Sequence, residues 1–149
     1  MKEALTKEKI AEALKEYFAA RPEVLFAYLF GSFAKGTQNK LSDVDVAVYL
    51  DESAVPRKGF FDYKIKAMSS LPDVVRVKEV DLVILNEAPP LLSHQVMRDG
   101  VVICSRDERL RSIFAVSSFN FYQDYLYLKE PHFQALKERI QTGRFGEIR

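Results

Sequence analysis

The sequence has only one cysteine, Cys104, and two histidines among its 149 residues. A single cysteine excludes an internal disulfide, and its place in the apolar run VVIC favours a buried thiol in a reducing compartment. So few His and Cys residues also leave no ligand set of the kind that zinc prefers. We therefore expect a cytoplasmic protein with neither a disulfide framework nor a zinc site.

The chain also lacks a strong charge of either sign and any long hydrophobic run. Lys and Arg number 22 and Asp and Glu number 21, so the formal net charge is +1. This balance argues against a dedicated, strongly basic nucleic-acid binder. No run approaches the length of a membrane span, and the charged, periodic N-terminus has no apolar core of a signal peptide. We expect no membrane partner and no direct nucleic-acid partner.

Hydrophobic periodicity predicts helices that alternate with short strands. The spacing predicts a helix over 6–19 with Thr6 as its N-cap. Strands are predicted over 24–30, 43–50, 80–85 and 101–105, and further helices within 57–71, 90–100, 107–128 and 132–141. The alternation predicts an α/β (α+β) fold, a mixed sheet of about four strands flanked by helices. The length fits a single domain, 1–149, with 107–149 as a helical tail.

Acidic residues interrupt two of these otherwise apolar strands. Because side chains in a strand alternate between faces, Asp43, Asp45, Ala47 and Tyr49 point one way. If the strand containing Asp81 lies beside this one, three carboxylates form one cluster. Such like charges raise each other's proton affinity unless a cation neutralises them. Oxygen-only ligands suit Mg²⁺ or Mn²⁺.

A Gly-Ser corner, Gly31-Ser32, ends the strand that precedes this acidic pair. Glycine lets the backbone approach a ligand closely, and N–H groups at the start of a following helix attract phosphate. Lys35 and Lys40 lie in the same loop and would add positive charge. An anion cradle ten residues before a metal-binding pair matches the needs of a metal-bound triphosphate. The alternative is a surface turn followed by an edge strand with solvated acids.

The motifs GSFAKG (31–36) and SDVD (42–45) resemble the signature of the DNA polymerase β-like nucleotidyltransferase superfamily. More narrowly, the chain looks like the minimal nucleotidyltransferases, the MntA-type antitoxins. The resemblance covers most of the chain and implies a polymerase β palm-like fold with a C-terminal helical tail. It implies that Asp43, Asp45 and Asp81 are catalytic and hold two Mg²⁺ ions, with Asp81 as a third ligand or as the base. Gly31, Ser32 and Lys35 would then contact the nucleotide.

The same resemblance implies a reaction and a partner. ATP would be the donor, and a tyrosine of a cognate HEPN-domain toxin, an RNase, would be the acceptor, so that adenylylation silences the toxin. Two alternatives stay open. The chain is either a non-catalytic antitoxin that neutralises its partner by binding, or a nucleotidyltransferase with another acceptor. That acceptor would be a small molecule such as an aminoglycoside, or a nucleic-acid 3′ end, which the neutral charge disfavours.

The segment FAVSSFNFYQDYLYL is rich in aromatic residues. At helical spacing they form two apolar seams, one with Phe114, Phe121 and Tyr125 and the other with Phe119 and Tyr122. A helix that is apolar on two faces needs more than one packing surface. One seam is predicted to cover the sheet and the other to meet a protein partner, which includes a second copy of the chain. The alternative is that both seams are buried within the monomer.

Overall fold

The computed structural model describes residues 6–35 and 43–129 of the chain. Within these ranges helices and strands follow in the order α1 (Lys7–Ala19), β1 (Val24–Phe30), α2 (Ser32–Lys35), β2 (Val44–Leu50), α3 (Phe60–Val75), β3 (Val80–Ile84), α4 (Pro90–Asp99), β4 (Val101–Ser105) and α5 (Glu108–Lys129). The predicted strands and helices are confirmed with small shifts at their ends; the second strand begins at Val44, one residue later than predicted. The helix predicted over 132–141 lies outside the described residues.

The four strands form one mixed sheet in the order β3-β2-β1-β4. β1 pairs antiparallel with both β2 and β4, whereas β2 pairs parallel with β3. The predicted fold class, a mixed sheet of about four strands with flanking helices, is confirmed. β2 lies inside the sheet, so the alternative of an edge strand with solvated acids is wrong.

The two faces of the sheet carry two separate hydrophobic cores. Val44, Val46 and Val48 of β2 belong to the larger core, which α1 and α3 cover. The opposite face forms a smaller core around Ala47, and α4 and α5 cover it. The predicted alternation of side chains along β2 is therefore confirmed.

Helix α1 begins and ends with specific hydrogen bonds. The Thr6 hydroxyl accepts a hydrogen bond of 3.2 Å from the Lys9 N–H, as expected for its N-cap. At the other end, the guanidinium of Arg106 donates to the Phe18 carbonyl at 2.7 Å and to the Val24 carbonyl at 2.8 Å. Because Arg106 follows β4, these bonds fasten the end of α1 to the sheet.

Helix α5 is covered on one side of its first half and is largely exposed along its second half. Phe114 packs against the sheet, with its ring centroid 5.3 Å from that of Tyr49. Further along, the side chains of Phe119 and Phe121 are 53% and 60% exposed. The alternative that both aromatic seams are buried within the monomer is therefore wrong. Although α5 has 22 residues, neither it nor any other helix in the described part of the chain is long and apolar enough to cross a membrane.

Candidate active site

Three neighbouring strands bring the predicted site residues to one end of the sheet. In the strand register, Asp45 lies opposite Phe30 of β1 on one side and opposite Asp81 of β3 on the other. Gly31 follows Phe30 directly, so Gly31, Asp45 and Asp81 form a row across β1, β2 and β3. Asp43 lies just before β2, where the Val44 N–H donates to the Glu79 carbonyl at 3.4 Å. The predicted convergence of residues from separate strands is present in the structure.

Gly31 fills a position that no other residue can occupy without strain. Its φ angle is +78°, in the left-handed region that favours glycine. A Cβ atom at this position would overlap the Oδ2 atom of Asp45. The corner backbone therefore lies directly against the Asp45 carboxylate, and a glycine is required both for the turn and for this contact.

The Asp45 carboxyl is the electrostatic centre of the row. Burial, followed by the negative charges of Asp81 and Asp43, raises the pKa of Asp45 from 3.8 to about 6. Asp45 is half-buried, whereas Asp43 and Asp81 are exposed. The repulsion expected from the sequence is present, but desolvation is the largest single cause of the shift. The sequence did not predict the desolvation of Asp45, because the burial of this residue depends on how the chain packs around that strand end.

A cleft of about 310 Å³ opens beside the three carboxylates. Asp43, Asp45 and Asp81 line it together with residues that the sequence analysis did not single out. These are Met68 and Pro72 from α3 and the segment Lys78, Glu79 and Val80 at the start of β3. Lys78 and Glu79 immediately precede the strand with Asp81, so their position in the sequence could have indicated that they reach the same end of the sheet.

The donor atoms at this site fit a divalent cation in their chemistry. Carboxylate oxygens are the ligands that Mg²⁺ prefers, and the pKa of Asp45 is raised by burial and by two neighbouring acids, with no nearby cation among the causes from the described residues. Within residues 6–35 and 43–129, no group of three or more His, Cys, Asp or Glu side chains is arranged to hold a metal ion. Mg²⁺ in nucleotide enzymes is bound by one or two carboxylates together with substrate phosphates, so a complete protein cage is not required.

The remaining predicted site residues surround the corner. Ser32 begins α2 and is half-buried, one residue from the Gly31 contact with Asp45. Lys35 is the last residue of α2; its side chain, like the whole of Lys40, lies outside what the structure describes. The roles predicted for Ser32 and Lys35 in nucleotide binding stay predictions.

Cys104 and His94 lie in other surroundings. Cys104 is half-buried on β4, where burial raises the pKa of its thiol. His94 is on α4, and its ring stacks on that of Tyr122 with centroids 3.8 Å apart. Neither residue lines the acidic cleft.

Comparison with known proteins identifies similar sequences. A family model described as polymerase beta, nucleotidyltransferase matches residues 12–109. The protein adenylyltransferase MntA of Shewanella oneidensis is 31% identical over 138 residues, which are 91% of this chain and 85% of that protein. The matched span includes every residue of the Gly31–Asp45–Asp81 row.

Solved structures resemble this chain over nearly its whole length. A crystal structure described as a toxin-antitoxin with AMP-PNP has a TM-score of 0.65 and 26% identity, covering 92% of this chain and 99% of that one. A structure of tri-AMPylated Shewanella oneidensis HEPN toxin in complex with MNT antitoxin has a TM-score of 0.61 and 21% identity, covering 91% and 99%. At that lower identity the second likeness concerns the fold alone.

Proposed function

Because this chain belongs to the polymerase β nucleotidyltransferase family, we propose that it transfers AMP from ATP to a tyrosine hydroxyl of a cognate HEPN-domain toxin and thereby acts as an antitoxin. The family resemblance predicted from the sequence is confirmed. The observation that carries the proposal is the row of Gly31, Asp45 and Asp81 across three adjacent strands. It combines a backbone corner suited to phosphate with carboxylates suited to a cation.

Each residue of the row has a proposed role. The Gly31-Ser32 corner holds the triphosphate, with the Gly31 backbone close to the ligand and the Ser32 hydroxyl donating to a phosphate oxygen. Lys35 would add positive charge. Asp43 and Asp45 would hold two Mg²⁺ ions, or Mn²⁺ in their place, together with the nucleotide phosphates, and Asp81 would be a third ligand or the base. The ions would supply charge neutralisation for the nucleophile and the leaving oxygen.

The reaction is an in-line displacement at the α-phosphorus. The acceptor oxygen forms a bond to this phosphorus, the bond from the phosphorus to the bridging oxygen breaks, and pyrophosphate leaves. Asp81 accepts the proton of the attacking hydroxyl. Asp45 is half-buried beside two other acids, which raises its pKa, and a positively charged metal would relieve the repulsion among the three carboxylates.

The relatives support adenylyl transfer and a toxin as partner, and the HEPN-domain acceptor follows from the family resemblance. The relative at 31% identity is a protein adenylyltransferase, and the structure at 26% identity is a toxin-antitoxin with AMP-PNP. We extend these properties to the present chain, including ATP as donor and a HEPN-domain toxin as partner. A cytoplasmic location, where ATP and such a toxin meet, belongs to the same proposal.

The exposed side of α5 is the surface that we propose for contact with a protein partner. Val116 and Phe119 are 61% and 53% exposed, although both are apolar. Such residues are enriched at interfaces between proteins. The toxin and a second copy of this chain are both candidate occupants, and sedimentation of the chain alone and with the toxin separates them.

The test is incubation of the chain with labelled ATP, Mg²⁺ and the product of the neighbouring reading frame, followed by mass measurement of that product. We expect one or more AMP groups on a tyrosine, and none with the Asp45→Asn variant. If neither protein gains a nucleotide from any of the four triphosphates but the toxin is still silenced, the chain acts by occlusion. Transfer to an aminoglycoside instead of the toxin would identify the small-molecule alternative.

A further inference from the structure

We propose that the cleft beside Asp81 is the acceptor pocket, and that Met68 and Lys78 make it select a phenol ring over an aliphatic hydroxyl. The proposal rests on the proposed function, because it assigns the acceptor side of that same site. The assignment follows from the order of the strands, from the residues that line the cleft and from its size.

The order of the strands separates a donor side from an acceptor side. Gly31 contacts Asp45 from the side of β1, whereas Asp81 flanks Asp45 from the side of β3. In an in-line displacement the attacking and leaving oxygens lie on opposite sides of the phosphorus. If the Gly31-Ser32 corner holds the leaving pyrophosphate, the nucleophile enters from the side of β3. The cleft opens on that side, and neither Gly31 nor Ser32 lines it.

The walls of the cleft suit an aromatic ring with a single hydroxyl. Met68 and Pro72 of α3 supply an apolar wall, and a thioether makes favourable contacts with aromatic rings. Lys78, an exposed residue at the start of β3, supplies a cation beside this wall. An ammonium group over a ring adds an attraction that an aliphatic alcohol cannot provide. The carboxylate of Asp81 lies in the same cleft, where the phenol hydroxyl would lose its proton.

The size of the cleft limits what it accepts. Its volume of about 310 Å³ lies at the lower end of the range for small-molecule pockets. One aromatic side chain from a protein fills such a space, whereas a multi-ring molecule needs more room. In the transfer step the phenol oxygen bonds to the α-phosphorus, its proton passes to Asp81 and pyrophosphate departs.

The first test measures binding without catalysis. The chain has three methionines, Met1, Met68 and Met97, and Met97 packs in the smaller core on the other side of the sheet. N-acetyl-tyrosinamide is titrated into the full chain with Mg²⁺ and a non-hydrolysable ATP analogue while the methionine methyl signals are recorded by NMR. We expect the Met68 methyl to shift and the Met97 methyl to stay, with no response to N-acetyl-serinamide. No Met68 shift with the phenol, or equal shifts with both amides, overturns the proposal.

The second test measures transfer to the toxin for matched variants. Lys78→Met should raise the KM for the toxin about fivefold and leave the KM for ATP unchanged, and Lys78→Arg should restore it. Met68→Ala should raise the same KM about tenfold. Lys66→Met, an exposed lysine on α3 outside the cleft, is the control. If the wild-type chain transfers AMP and these variants change nothing, or change only the KM for ATP, the acceptor pocket is refuted.

A chain that shows the Met68 shift but no transfer would refute the proposed function and not the pocket. The exposed position of Lys78 keeps its variants foldable, so a folding defect in Met68→Ala does not remove the test.

Discussion

Two side chains on the same face of β2, Asp45 near its start and Tyr49 near its end, lie in very different surroundings. At one end, the Tyr49 ring is stacked on Phe26 at 4.9 Å and covered by Phe114 of α5. At the other end, the Asp45 carboxylate lies against the Gly31 corner beside an open cleft. Burial raises the pKa of both side chains. The difference lies in charge, because the Tyr49 phenol stays neutral at pH 7 whereas most of Asp45 is ionised.

The same strand thus contributes to stability at its Tyr49 end and to the candidate active site at its Asp45 end. Covering a neutral ring adds apolar contacts, so α5 packs over the Tyr49 end. Covering an ionised carboxylate would cost free energy unless a partner compensated its charge. The Asp45 end therefore stays open, so that its carboxylate is available to a cation.

The largest expected effect is a loss of AMP transfer when the charge of Asp45 is removed. Asp45→Asn should lower AMP transfer at least about 100-fold, because a neutral amide is a poor ligand for a divalent ion. Its unfolding free energy should not fall, since the variant loses repulsion with Asp81 and Asp43. Asp51→Asn, directly after the other end of β2, is the control and should retain activity. Full transfer activity in Asp45→Asn would contradict the proposed catalytic role of Asp45.

A methyl group added at Gly31 should destabilise the Asp45 end of β2, because it overlaps neighbouring atoms. Gly31→Ala should lower the unfolding free energy by about 3 kcal/mol, from the left-handed backbone and from overlap with the Asp45 carboxylate. Chemical denaturation of the single and double variants measures this effect. In an Asp45→Ala background the cost should shrink, because the overlap disappears while the backbone strain remains. An equal cost in both backgrounds would contradict the contact between Gly31 and Asp45.

Removing the ring that covers the Tyr49 end of β2 should lower stability without changing the binding of ATP. Phe114→Ala should lower the unfolding free energy by about 2 kcal/mol, because it uncovers the Phe26 and Tyr49 rings. The KM for ATP should stay unchanged, since Phe114 does not line the acidic cleft. Phe121→Ala, on the exposed half of α5, is the matched control and should change stability by less than about 0.5 kcal/mol. Equal losses for the two variants would contradict the division of α5 into covered and exposed halves.

The smallest effect is a dependence of stability on pH. Because the pKa of Asp45 is raised to about 6, the folded chain binds more protons than the unfolded chain between pH 4 and 6. The stability from protonated Asp45 is complete below pH 4 and is lost as the pH rises through 6. Measured without metal, the wild type should lose about 1 kcal/mol relative to Asp45→Asn over this interval, after allowance for solvent screening. Parallel pH profiles would show that Asp45 is not desolvated.

Much of the fold and of the candidate site could be predicted because it is encoded locally. The strand over 24–30 follows from a short apolar run that ends in Gly31, and α4 from Pro90 at its start and Gly100 after its end. The alternation along β2 predicted which side Asp45 and Tyr49 share. Met68 could not be predicted as a lining residue, since its place depends on how α3 packs beside β3, whereas Lys78 directly precedes that strand and could have been identified.

The exposure of the second half of α5 is another feature that the local sequence could not predict. Its aromatic seams follow from helical spacing, but spacing does not reveal where the sheet beneath the helix ends. A helix of 22 residues extends about 33 Å, whereas the longest strands here, of seven residues, extend about 23 Å. Phe114 is covered and Phe121 is exposed because only the first half of the helix has the sheet beside it.

The sequence by itself determined the kinds of elements, the faces of each strand and the presence of acids beside a glycine corner, because these depend on neighbours within a few residues. Only the tertiary structure decided that β2 and β3 pair in parallel with Asp45 opposite Asp81, and that burial is the largest single cause of the raised pKa of Asp45. Register and burial arise from packing between segments far apart in the chain, where no local pattern specifies the partner.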